Sequence, residues 1–354
     1  MNPAIEFGWN LVLAAAEVFF LVRARGAGLA PVRVAARLAL PWLVAMAFTL
    51  PIAREGFAAM RLWAWGIFAH APLLCVAMAR VSARRSRCAS AAFAIAATAL
   101  LAIATDAFLI EPRRLEVEHV RLKSAKLKAP LRIAVLTDIQ TDNVGEHERR
   151  AVRAAMKEKP EIVLLCGDYI EEEDDDKRRT QHESLRRLFL EESLTAPLGV
   201  YAVEGDNDWG DWLDIFAGLP VHTSKRTFDV QTGEVAIRGL SLADSRRTDL
   251  AAASSPSFQI VFGHAPDFAL SNVPADLLVA GHTHGGQVQI PGFGPPITLT
   301  SIPRRWAAGG ATDIGGGRTL VVSRGIGMER GSAPRLRFWC PPHVVIIDVV
   351  PAAD

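Results

Sequence analysis

The stretch Asp276-Leu277-Leu278-Val279-Ala280-Gly281-His282-Thr283-His284-Gly285-Gly286-Gln287 joins an apolar run to a glycine-flanked loop that carries two histidines one residue apart. Leu277 to Ala280 reads as a buried strand, and Gly281 is where it gives out. On a strand, positions i and i+2 share a face, and on an irregular turn both imidazoles can swing toward one point. The spacing suits two nitrogen ligands for one metal or for adjacent metals. Tight-turn glycines beside a satisfied surface histidine are the other reading of the same residues, so the decision rests on partners upstream.

Those partners stand at the ends of similar runs. Leu131 to Thr137 is apolar and β-branched and ends in Asp138-Ile139-Gln140; Ile162 to Cys166 ends in Gly167-Asp168. Val200 to Val203 leads to Gly205-Asp206-Asn207-Asp208, and Gln259 to Phe262 leads to Gly263-His264. With the run before His282, five expected strands each deliver a polar residue at the carboxyl end. Glu146 to Lys159, with Val152, Ala155 and Met156 on one face, predicts an amphipathic helix between the first two, and Ser184 to Leu190 predicts a second. Strand, helix, strand with polar tips is the pattern of an α/β sheet whose site lies along one edge. Beyond His284, strands are expected at Gln287–Ile290, Thr319–Ser323 and Val344–Val349, so the tail reads as a second, more antiparallel sheet layer.

Collected, the strand-end residues are Asp138, Gln140, Asp168, Asp206, His264, His282 and His284: oxygen and nitrogen donors with no thiolate. Such a set suits manganese, iron or zinc rather than calcium, because imidazole favours the transition metals. It is too large for one ion. Two divalent ions about 3.5 to 4 Å apart, bridged by a carboxylate and a water-derived hydroxide, would use all of it and could attack a phosphorus centre in line. Any one of these aspartates alone would pass for a turn or helix cap.

The blocks resemble the calcineurin-like metallophosphoesterases, in particular bacterial membrane-anchored members related to UDP-diacylglucosamine pyrophosphatases and cell-envelope phosphoesterases. The family pattern is DxH, GDx, GNH followed by Asp or Glu, GH, then GHxH, and all five blocks occur here in order. The likeness covers roughly residues 130 to 350, including Ser323-Arg324-Gly325-Ile326-Gly327 and Arg337-Phe338-Trp339-Cys340-Pro341-Pro342. It implies a four-layer αββα sandwich of two mixed sheets. It also implies that Asp138 and His284 hold a first metal, Asp168 bridges, and His264 and His282 hold a second. Three positions depart from the pattern. Gln140 replaces a histidine ligand but keeps an amide oxygen. Asp206 replaces asparagine, adding a negative charge that should tighten metal binding and repel an anionic substrate. Asn207 replaces the histidine expected to stabilise the transition state and protonate the leaving oxygen, and losing such a group costs about 10² to 10⁴ in rate. Asp208, next in the chain, and His222, downstream, are the candidates to stand in.

The first third of the chain is different in kind. Apolar segments recur at Phe7–Val22, Leu38–Ala53, Leu62–Ala79 and Ala89–Ile110, each near the roughly 17 to 25 residues that span a bilayer. Met1 to Glu6 carries no Lys or Arg, unlike a cleaved signal peptide, so a retained multi-span anchor is expected. Arg23, Arg25 and Arg33 follow the first segment and Arg84, Arg85 and Arg87 the third, against Arg54 and Arg61 after the second. The more basic loops should be cytoplasmic, which puts the rest of the chain on the extracytoplasmic side. Glu17, His70 and Asp106 lie in or at the ends of these runs, where an ionisable group is costly.

A net charge of +1 over 354 residues argues against a nucleic-acid partner. Of the four cysteines no two form a CxxC pair, so neither a zinc knuckle nor a disulfide framework is indicated. The acidic run Glu171–Asp176 reads as a solvated loop, with a rim that repels polyanions or captures cations as the alternative. Arg304, Arg305, Trp306, Trp209 and Trp212 read either as a basic and aromatic lip for a lipid headgroup or as cover for the sheet edge. The expected organisation is a four-helix transmembrane anchor over 1–110, a linker and edge strand over 111–130, and a metallophosphoesterase domain over 131–354. The expected function is hydrolysis of a phosphodiester or pyrophosphate on a phosphorylated, lipid-linked or envelope substrate. The alternative is a catalytically weakened domain that keeps its metals and binds a phosphorylated ligand, for which Asn207 is the support.

Overall fold

A computed structural model describes residues 3–26, 33, 42–49, 56–251 and 254–352. The chain separates into two compact units, Met1–Leu109 with Glu329–Arg335, and Ile110–Met328 with Leu336–Asp354.

The first unit is helical. Helix α1 spans Pro3–Gly26, and the long helices α2 (Gly56–Ser82) and α3 (Arg87–Arg113) are the two among the described residues long and apolar enough to cross a bilayer. Only 28% and 11% of their apolar windows are buried, so most of that surface faces outward. The first, third and fourth apolar segments of the sequence fall in α1, α2 and α3; of the second, Leu38–Ala53, only residues 42–49 are among the described residues. Trp9, Leu13 and Leu62 form a small buried cluster between α1 and α2. Beside it His70 Nδ1 lies 3.0 Å from Glu17 Oε2, and His70 Nε2 lies 3.0 Å from Asn10 Oδ1. Both His70 ring nitrogens and one Glu17 oxygen thus find partners within the helices, which lowers the cost of such groups in an apolar setting.

The second unit holds two six-stranded mixed sheets. The first contains β1 (Glu116–Ser124), β2 (Leu131–Leu136), β3 (Ile162–Leu165), β4 (Val200–Ala202), β5 (Val221–Thr223) and β12 (His343–Pro351), in the order β1-β12-β2-β3-β4-β5. The second contains β6 (Phe228–Thr232), β7 (Val235–Gly239), β8 (Phe258–Phe262), β9 (Leu277–Ala280), β10 (Gly310–Gly315) and β11 (Arg318–Val322), in the order β10-β11-β9-β8-β7-β6. Strands β2, β3 and β4 are parallel neighbours, as are β7, β8 and β9, so their carboxyl ends come out together.

The continuous apolar runs follow from this layering. In β2, Ile133 and Val135 pack between the sheets with Ile260 and Val279, while Ala134 and Leu136 turn to the outer face and meet Ala151 and Val152 of helix α4 (Glu146–Lys157). A strand buried on both faces has no polar register to alternate with. Helix α5 (Asp175–Glu191) covers the same outer face through Leu185, Leu188 and Phe189. On the far side, Leu278 and Ala280 pack with Phe268, Leu320 and Val322.

Three expectations need correction. The tail does not form a layer of its own: β12 returns to the first sheet, antiparallel to β2 and parallel to β1, while β10 and β11 extend the second. Gln287–Ile290 makes isolated bridges rather than a strand. The acidic run is not simply a loop, because Asp174 caps α5 by accepting from Lys177 N at 3.0 Å, and Asp175 and Asp176 occupy its first turn. Carboxylates there complement the helix dipole.

Candidate metal centre

The strand ends deliver their side chains through strained backbone. Of the ten non-glycine residues with positive φ among the described residues, five are Asp138, Gln140, Asp168, His282 and His284. Such conformations cost roughly 1 to 3 kcal/mol each and persist where a site imposes them. The loops after β2 and β3 are laced by Asp138 N to Gly167 O at 3.0 Å and Gln140 N to Asp168 O at 2.8 Å. Glycine is required where they meet: a methyl at Gly205 would overlap the backbone and carboxylate of Asp168, and one at Gly281 would overlap Thr137 and Asp138.

Two groups of candidate ligands form, each with its donor atoms within 4.8 Å of one another: Asp138, Asp168 and His284, and Asp206, His264 and His282. They touch, because His264 Nε2 lies 3.5 Å from Asp168 Oδ2 as well as 2.7 Å from Asp206 Oδ1. His264 Nδ1 donates to Cys166 O at 2.9 Å, which leaves Nε2 turned to the carboxylates. His282 Nδ1 sits 3.3 Å from Asp206 Oδ1. His284 Nε2 is 3.7 Å from Asp138 Oδ1, and neither of its ring nitrogens has a hydrogen-bond partner among the described residues, although both are buried. Gln140 is buried in the loop after β2 and gives its amide nitrogen to Glu171 Oε2 at 2.8 Å.

The electrostatics fit a cation. Burial opposes a charge on His264, yet the carboxylates of Asp168, Asp206 and Asp138 outweigh it and raise the imidazole to about 10. The field that holds a proton there so tightly would hold a metal ion. Burial raises Asp138 to about 6 and lifts Asp168 in the same direction. Burial also works against the Asp206 charge, but hydrogen bonds from His264 and His282 hold that carboxyl far below the usual range. Burial, then the nearby Arg337 charge, pushes His284 well down, so it is the neutral imidazole that a metal takes. A neutral, buried histidine without a hydrogen-bond partner among the described residues, facing a buried carboxylate, fits the donor set of a metal ion.

The remaining candidates separate. Asn207 donates from its backbone N to Asp168 Oδ1 at 2.8 Å and from Nδ2 to Asp168 Oδ2 at 3.0 Å, so it fixes the carboxylate at which the two groups touch. Asp208 accepts from the backbone N of Asp168, Tyr169 and Gly205 at 2.7, 2.8 and 2.8 Å. Burial and the Asp168 charge raise its carboxyl to about 8, against the pull of those N–H groups. With both oxygens engaged it ties two loops together, and it is not placed to hand a proton to a leaving group. His222 packs on Phe228 with ring centroids 4.5 Å apart and does not join the centre. Nor do the tryptophans make a lip: Trp212 is fully buried and stacks on Tyr169, while Trp209 lies under Arg178. Sequence reading missed Arg246, whose Nη2 donates to Asp206 Oδ2 at 2.8 Å; forty positions separate the two, and no spacing rule links them.

The family model described as calcineurin-like phosphoesterase matches residues 131–286, which contain every member of both ligand groups. This part of the chain is a calcineurin-like phosphoesterase domain. Its class is that of metal-dependent hydrolases of phosphoric esters. Among curated proteins, the chain is 27% identical over 268 residues to the uncharacterised metallophosphoesterase YkuE of Bacillus subtilis, covering 67% of this chain and 86% of that one. It is 27% identical over 268 residues to phosphodiesterase YaeI of Escherichia coli, covering 68% and 90%. An uncharacterised metallophosphoesterase of Aquifex aeolicus is 25% identical over 265 residues, covering 68% and 94%.

Proposed function

We propose that the protein is a membrane-anchored phosphoesterase that uses two divalent transition-metal ions, manganese, iron or zinc, to hydrolyse a phosphodiester or pyrophosphate bond. The observation that carries this reading is the contact of the two ligand groups through Asp168 and His264. In it, Asp138, Asp168 and His284 hold one ion with help from the Gln140 amide oxygen, and Asp206, His264 and His282 hold the other. Bound there, the ions would supply Lewis acidity toward the phosphoryl oxygens and make water nucleophilic at neutral pH. Asn207 keeps Asp168 in place, and Asp208 keeps the loops beneath it in place. Neither is a proton donor, so the reading favours a substrate whose leaving group departs without one.

The name of the YaeI relative, a phosphodiesterase, agrees with the bond type. The apolar helices α2 and α3 support anchorage, and a tethered enzyme meets a lipid-linked or envelope substrate at raised local concentration. The arginine clusters favour an extracytoplasmic domain, which a topology reporter fused after Asp354 would test. Asn207 also supports the second reading, a weakened domain that binds a phosphorylated ligand.

The test uses the full chain in detergent with manganese, bis(4-nitrophenyl) phosphate as diester and 4-nitrophenyl phosphate as monoester, and Asp168→Asn as control. Diester hydrolysis lost in the control, with about two metals per chain by elemental analysis, is the expected result. Metal binding with no turnover of any ester would move the conclusion to the binding domain, and failure to bind metal would sink both.

A further inference from the structure

Two of the three departures from the family pattern are adjacent, Asp206 and Asn207, and the structure supplies a third partner. Asp206 turns Oδ1 to His264 and His282 and Oδ2 to Arg246, so one carboxylate serves the metal centre and an arginine with different oxygens. An asparagine in that position would offer the arginine no charge. Arg246 makes this one ion pair among the described residues and keeps 49% of its side chain exposed. A guanidinium has five N–H donors, and one bond to Asp206 leaves most of them for a ligand.

Arg246 lines a recess of about 730 Å³ together with Lys225 and Arg226. Two acidic residues share its wall. Asp244 is committed to Thr227 and to Arg247, which leaves Glu204 to face Lys225, Arg226 and Arg246. The recess, with three cations against two carboxylates, is therefore cationic on balance, and Arg246 joins it to Asp206.

We infer that Arg246 is a catalytic residue that replaces, by charge, what the histidine missing at 207 would supply by a proton. Its substrate carries a second anionic group beside the phosphorus under attack, as a diphosphate does, and that group lies in the recess between Arg246 and Lys225. This rests on the phosphoesterase reading above. In the step, water oxygen bonds to phosphorus, the bond from phosphorus to the leaving oxygen breaks, and the leaving phosphate keeps the electron pair. The water proton passes to solvent, and Arg246 keeps all of its own. A phosphate so stabilised needs no general acid, because its conjugate acid is already ionised at neutral pH. Asp206 then anchors the guanidinium, and the pair of departures is one exchange.

The experiment compares the full-length wild type with Arg246→Gln, Arg246→Lys and the double variant Arg246→Gln/Asn207→His. Manganese content is read by elemental analysis, binding of inorganic pyrophosphate and of inorganic phosphate to the manganese-loaded protein by calorimetry, and turnover with a dinucleoside diphosphate. Arg246→Gln should keep its manganese, bind pyrophosphate about ten- to a hundredfold more weakly, change little toward phosphate, and lose turnover by a similar factor. Arg246→Lys should fall between, since it keeps the charge and loses the fork. The double variant should regain turnover and acquire a falling limb at high pH from its new acid, which the wild type lacks. Loss of manganese from both single variants would make Arg246 a support for Asp206 only, and pyrophosphate binding equal to wild type would overturn the proposal outright. A wild type that binds no manganese would instead remove the phosphoesterase reading itself.

Discussion

Asn207 donates to Asp168 from both its backbone N and its Nδ2, so the residue that replaces a histidine also holds the carboxylate at which the two candidate ligand groups touch. Asn207→His on its own should leave aryl diesters nearly unchanged, because a nitrophenolate departs unaided. It should speed hydrolysis of an alkyl diester, whose leaving group does need a proton, by at least about tenfold within the range a general acid provides. An alkyl-diester rate no faster than the wild type's would show that position 207 does not face the leaving oxygen. Beside it, Gly205→Ala places a methyl against Asp168 N and Oδ1, and neither backbone nor buried carboxylate can give way cheaply. The expected outcome is a folded protein with less than half the wild-type manganese by elemental analysis, and full metal content would show that the loop has slack. At this scale the ligands were legible because each ends an apolar run. Arg246 was not, since an arginine after a polar helix reads like any surface residue until the fold brings it to Asp206. Asp208 is illegible for the same reason: its function is set by three backbone N–H groups, two of them from the loop after β3.

Among the elements, β12 shows how a strand far in sequence holds the site. His343, at its start, is fully buried, with Nδ1 2.9 Å from Glu118 Oε2 on β1 and Nε2 accepting from Arg324 N at 2.6 Å. The turn it holds carries Gly325, where a methyl would press on Asp138 and His284. Burial lowers His343 to about 4. A neutral imidazole satisfies both partners, whereas a proton on Nε2 would face the Arg324 N–H. Because the folded value lies below the unfolded one, near 6.5, the unfolded chain binds more protons between pH 6.5 and 4. The stabilisation is complete above about 6.5 and is lost as pH falls toward about 4, amounting to roughly 3 kcal/mol at most. Urea unfolding across that window should show a slope that His343→Gln reduces by up to one proton, and an unchanged slope would place the titration elsewhere. Five of the strands that sequence reading finds, β2, β3, β4, β8 and β9, are buried on both faces and so are written as uninterrupted apolar runs. Those it missed are short or half-buried. β6 alternates Phe228, Val230 and Thr232 with exposed Asp229 and Gln231, too brief a pattern to separate from loop. β12 was seen as a strand but given to the wrong sheet, because pairing partners are fixed by packing and not by the strand's own residues.

For the molecule as a whole, the seven residues Glu329–Arg335 pack with the helical unit while the chain on either side belongs to the phosphoesterase unit. Arg61 on α2 makes that packing specific: its Nη2 donates to Gly331 O at 2.6 Å and to Ala333 O at 2.9 Å. Both flanks are tied down independently of it. Gly327 N donates to Asp138 O at 2.7 Å, and the fully buried Arg337 donates to Gly327 O, Arg324 O and Cys340 O. Losing Arg61 should therefore loosen the middle of the segment and spare its ends. Two charge-assisted bonds at a half-exposed site contribute about 1 to 2 kcal/mol, so Arg61→Ala should raise the open population about tenfold. Trypsin, which cuts after Arg330 and Arg335, reads that population directly when reclosing outpaces cleavage. The variant should be nicked there about ten times faster than the wild type and retain its manganese, because Asp138 is held by Gly327 and not by the loop. Equal nicking rates would mean that Arg61 does not hold the segment, and metal lost on cleavage would mean that the flanking bonds do not isolate the centre from it.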